Sequence, residues 1–81
     1  MIVNARVVNS SIASGNNWRV YITDNSNATI LIFIPASTVA DLELQEPPKA
    51  GTVVIVAGYR DVYRTDQEVI VVSKNGFVIV K

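Results

Sequence analysis

The chain has neither cysteine nor histidine. Without cysteine there is no disulfide, no thiolate metal site and no thiol nucleophile. Without histidine it lacks the commonest general base and the usual zinc ligand. It also lacks a long apolar run. Hydrophobic residues make up 49% of the sequence, yet they are spread over segments of about eight residues, well short of the ~20 needed for a membrane-spanning helix. Asn4 and Arg6 interrupt the opening apolar residues, which does not suit a signal peptide. These absences lead us to expect a soluble, intracellular, cytoplasmic protein with no membrane partner. Net charge is lacking too. Seven basic and seven acidic residues cancel, which argues against a strong general nucleic-acid binder.

What is present is a chain of 81 residues, one domain near the lower size limit for a core without staples. Its organising stretch is residues 51–64. Val53 to Val56 form an unbroken β-branched run, which fits a pleated surface. Gly58 interrupts this strand without ending it, and a mid-strand glycine marks a bulge, a bend or a close backbone approach. A long bent strand shared between two parts of one sheet is what a small closed barrel needs.

The other strands follow by alternation. Residues 2–12 form the first, with Val3, Ala5 and Val7 on one face. Its loop centres on Gly15-Asn16-Asn17. Trp18 to Thr23 form the second, with Val20 and Ile22 on one face and Arg19, Tyr21 and Thr23 on the other. A tight turn, Asp24-Asn25-Ser26-Asn27, leads to the third, Ala28 to Ile34. This strand is apolar on both faces, Leu31 and Phe33 against Ile30, Ile32 and Ile34. A doubly apolar strand implies a second buried surface or a binding surface.

Pro35 stops that strand. Ser37 or Thr38 can cap a short helix, with Thr38 and Asp41 as a capping-box-like pair. Val39, Leu42 and Leu44 supply an apolar stripe able to plug a barrel end, and Pro47-Pro48 ends the helix. Arg64-Thr65-Asp66-Gln67 is the turn out of the fourth strand, and Glu68 to Ser73 form the fifth. Lys74-Asn75-Gly76 is a hairpin signal, after which Phe77 to Val80 form a short extra strand expected to pair back on the fifth.

The pattern resembles the OB-fold nucleic-acid-binding domains of the replication protein A and aminoacyl-tRNA-synthetase anticodon-binding type. The matching residues are Ile2-Val3-Asn4-Ala5-Arg6-Val7-Val8, then Val20-Tyr21-Ile22-Thr23-Asp24 and Ser26-Asn27 before Thr29 to Pro35. Ala50-Gly51-Thr52 and Val56-Ala57-Gly58-Tyr59 complete them. Ala5 and Asn27 stand where that family usually has glycine. The resemblance implies an all-β, five-stranded Greek-key barrel with one short helix between strands three and four. It also implies a ligand surface on strands two and three and the flanking loops.

The residues on those parts are Trp18, Arg19, Tyr21, Ile30, Ile32, Arg60, Tyr63 and Arg64. Aromatic faces stack on unpaired bases, and arginine pairs phosphate or stacks. Trp18 shares the parity of Val20, which suits a core residue as well as a ligand platform. Tyr59, after the bend glycine, reads as packing. Ile30 and Ile32 suit a protein partner, or self-association, better than nucleic acid.

An enzyme is the weakest reading. The acidic residues Asp41, Glu43 and Glu46 share one helical segment without a common face, and no phosphate loop or metal-ligand spacing is present. No cofactor is expected. Single-stranded DNA or RNA binding, most readily DNA, is the leading reading, with an OB-fold protein-interaction subunit as the alternative.

Overall fold

The computed structural model of the chain describes residues 2–23, 28–63 and 66–80, and for residues 2, 3, 61–63, 66 and 67 the backbone alone. The described residues form one curled sheet of seven strands. They are β1 (Ile2–Ile12), β2 (Trp18–Thr23), β3 (Thr29–Ile34), β4 (Val53–Ala57), β5 (Tyr59–Tyr63), β6 (Asp66–Ile70) and β7 (Phe77–Val80). One helix, α1 (Ala36–Leu42), lies between β3 and β4. The hydrogen-bonded order is β5-β6-β3-β2-β1-β4-β7.

Three features curl the sheet. β1 serves two ladders, pairing with β4 through its first half and with β2 through its second, and Arg6 belongs to both. A register shift between Val7 and Asn9 marks a bulge there, and a bulge bends its strand and tightens the local twist. β4 and β5 lie far apart in the order, yet only Gly58 separates them in the chain.

Gly58 keeps its backbone in an ordinary region; what demands glycine is space. A Cβ at Gly58 would collide with the Ile70 carbonyl oxygen, and one at Gly76 with that of Ala57. At both points one strand end passes close against another backbone.

Alternation places the core inside the curl. Ala5, Val7, Trp18, Val20 and Ile22 are buried together with Ile30, Ile32, Ile34, Val54, Val56, Val69, Val71 and Phe77. Val39, Leu42 and Leu44 pack partly against this cluster, so the helix stripe covers the core as its sequence implied.

Several expectations are corrected. The sheet has seven strands and is not a five-stranded Greek-key barrel, in part because Gly58 divides the expected fourth strand into β4 and β5. β7 pairs with β4 and not with β6. Strand β6 ends at Ile70, and a 3-10 turn at Lys74–Gly76 carries the chain across to Ala57 instead of folding it back. The helix begins one residue after Pro35, so neither Ser37 nor Thr38 occupies the cap position; Thr38 is buried. Its first amide, that of Ala36, donates instead to the Asn17 side-chain oxygen at 2.8 Å. The helix ends at Glu43 in a left-handed conformation, four residues before Pro47. The expected turn at 24–27 lies outside the described residues, as do Arg64 and Thr65 of the turn at 64–67.

Candidate functional site

The residues opposite the core pattern form the outer face of β2, β3, β6 and β5. Val20 and Ile22 are fully buried, so pleating turns Arg19 and Tyr21 outward. Arg19 is exposed and Tyr21 half-buried. Cross-strand pairing then sets their neighbours. Arg19 lies opposite Phe33 and Tyr21 opposite Leu31, while Phe33 pairs with Ile70 and Leu31 with Glu68. Ile70 in turn pairs with Tyr59.

Paired residues project from the same side of a ladder, so a row Arg19, Phe33, Ile70, Tyr59 crosses four strands, with Tyr21, Leu31 and Glu68 in the next row. Adjacent strands lie about 4.8 Å apart. The Phe33 ring is therefore a direct neighbour of Arg19 and a diagonal neighbour of Tyr21, within reach of a long side chain. Tyr59, 68% exposed, marks the far end of the row, and the backbone approach at Gly58 sets it there.

Among the described side chains, the face carries three aromatic rings, two branched aliphatics, one guanidinium and one carboxylate. It can stack planar groups and pair with a single phosphate. Positive charge is not concentrated among its described side chains, so attraction to them comes mainly from contact with the rings. Arg6 is exposed on the neighbouring β1, opposite Thr23.

Of the residues expected to contact a ligand, the structure brings Arg19 and Tyr21 together. Trp18, Ile30, Ile32 and Arg60 do not join them. Trp18 is only 3% exposed and pairs with Ile34 in the core. Ile32 is fully buried opposite Val20, and Ile30 is buried opposite Ile22, which rules out both as a protein-facing patch. The physical reason is register: the three isoleucines share a side with Val20 and Ile22, so the same pleat buries all five. Arg60 is exposed but pairs with Val69, which sets it on the other side of the β5–β6 ladder from Tyr59. The Tyr63 backbone pairs with Asp66, and its side chain, like the whole of Arg64, lies outside the described residues.

Phe33, Leu31 and Ile70 were missed as face residues, and Tyr59 was read as packing. The alternation signal on β3 separates Phe33 and Leu31 from the isoleucines without saying which set is inside; the register with β2, Val20 opposite Ile32 and Ile22 opposite Ile30, turns the isoleucines inward. Tyr59 had no such signal, because the break at Gly58 interrupts the count of parity. Comparison with protein-family models, with curated proteins and with solved structures gives no match to this chain.

Proposed function

We propose that the chain is a barrel-type module of the OB kind that binds single-stranded nucleic acid, DNA foremost, on the outer face of β2, β3, β6 and β5. The observation that carries this reading is the row Arg19, Phe33, Ile70, Tyr59, with Tyr21 diagonal to Phe33. Unpaired bases present flat apolar faces, and each base stacked on an aromatic side chain contributes roughly 1–3 kcal/mol. Arg19, beside Phe33, reaches a phosphate next to a base stacked there. The general plan supports the same reading: β1 shared between two ladders, β3 and β6 parallel, one helix closing the core, and β4 and β5 acting as one strand bent at Gly58.

Zero net charge and the aliphatic residues Leu31 and Ile70 favour a second reading, in which this face meets a protein partner. A titration with fluorescent oligo-dT at low and moderate salt separates the two. Measurable binding is expected, with Tyr21→Ala and Phe33→Ala each weakening it by ~1–3 kcal/mol while the fold persists. Absence of affinity for oligo-dT and for oligo-rU would leave the protein-partner reading in its place.

A further inference from the structure

The sheet has two edges, and they differ. β5 carries Arg60 and Asp61 in its sequence, the kind of charge that blunts an edge strand. β7 is Phe-Val-Ile-Val, with no charge and no proline, and it keeps an unbroken register against β4. It is terminal in the hydrogen-bonded order, and among the described residues no strand pairs with its outer edge. Chains commonly guard such an edge with lysine, proline or a bulge. None of these occurs within β7.

A groove of about 310 Å³ opens beside this edge, between β7 and the end of α1. Leu42, Leu44, Phe77 and Ile79 line it, with Asp41 and Lys74 among the polar residues. One acid and one base leave its wall without a charge preference, which suits a neutral, apolar, extended segment. Val78 and Val80, about half exposed, face outward on β7 beside Ile55 and Val53 of β4.

We infer that β7 is a strand-addition site and that its occupant is β7 of a second copy, paired antiparallel about a two-fold axis. Three observations select a second copy. Its own β7 supplies the neutral apolar strand that the groove and edge accept. A two-fold pairing satisfies both free edges at once, because like edges are self-complementary when antiparallel. It also covers two grooves with one event, whereas a foreign strand on a four-residue edge covers one. A standard interface takes about 800 Å² from each partner. A four-residue strand and the groove beside it supply fewer than the roughly 20–30 residues a side of a standard interface, so the dimer is a weak, concentration-dependent one.

Opposed residues must share a face, so the outward pairs are Val78 with Val78, Val78 with Val80, or Val80 with Val80 of the other copy. Lysine at both positions therefore sets like charges opposite one another in each of these registers, which is destabilising.

The test is sedimentation velocity from low micromolar to low millimolar concentration. The parent chain should pass from monomer towards twice its mass. The double variant Val78→Lys/Val80→Lys should stay monomeric, and so should Val78→Glu/Val80→Glu. An equimolar mixture of the two should recover the dimer. Tyr59→Lys, on the other face, should associate as the parent does. Amide exchange on the parent offers a readout without substitution: protection of residues 77–80 should rise with concentration while that of β5 does not. A parent that remains monomeric throughout would overturn the inference. So would a lysine variant that still dimerises, a mixture that stays monomeric, or association lost through Tyr59→Lys.

Discussion

The two outer faces of this sheet obey the same alternation and carry different chemistry. Across β2, β3, β6 and β5 the described outward residues include Arg19, Tyr21, Leu31, Phe33, Glu68, Ile70 and Tyr59. Across β4 and β7 they are Val53, Ile55, Val78 and Val80. The inward residues of both halves are alike in kind, mostly branched aliphatics with one aromatic in each, Trp18 and Phe77, packed in one core. The core therefore does not account for the difference. Outward positions are released from its packing, and their identity reflects what the surface meets. One face can stack and pair with a phosphate; the other can only pack or add a strand.

The contrast would break first at Trp18. As a core residue, Trp18→Ala should cost about 3–5 kcal/mol, the range for removing a buried aromatic, with a large drop in the urea midpoint. An unchanged midpoint with lost oligonucleotide affinity would put Trp18 on the aromatic face and reverse the register of β2.

A smaller effect is expected at Gly58, where β4 and its aliphatic face give way to β5 and Tyr59. Any Cβ there meets the Ile70 carbonyl oxygen, so Gly58→Val should destabilise by ~1–3 kcal/mol through backbone displacement. A midpoint equal to that of the parent would show that the two strands separate at no cost, and that the faces are not held by this approach.

The smallest effect sharpens the chemistry of the aromatic face. Arg19 is the cation in the row with Phe33, and a single-strand phosphate contact contributes about 0.7 to the slope of log affinity against log salt. Arg19→Ala should flatten the oligo-dT slope by about that much. A slope that does not move would mean that Arg19 reaches no phosphate, leaving contact with the rings as the whole of the attraction.

Much of this was legible in the residues. The ranges of β1 and β2, the stop at Pro35 and a helix whose stripe covers the core are local properties. They depend on β-branched runs, parity and backbone donors within a few residues. Arg19 and Tyr21 turn outward for the same local reason, since they alternate with Val20 and Ile22.

Tertiary structure alone decided the rest. Which face of β3 is inside depended on its register with β2, so Ile30 and Ile32 went inward and Phe33 outward. Asn17 caps the helix from a loop 19 residues away in sequence, a contact that no local capping pattern contains. Likewise β7 pairs with β4 because the turn at Lys74–Gly76 lies against Ala57, and the Asn-Gly pair by itself indicates only a turn. Parity along one strand is dictated by the pleat every two residues, whereas the partner of a strand is set by packing between segments distant in the chain. That is why the sequence determined the two faces of each strand, and the assembled sheet determined which faces lie side by side.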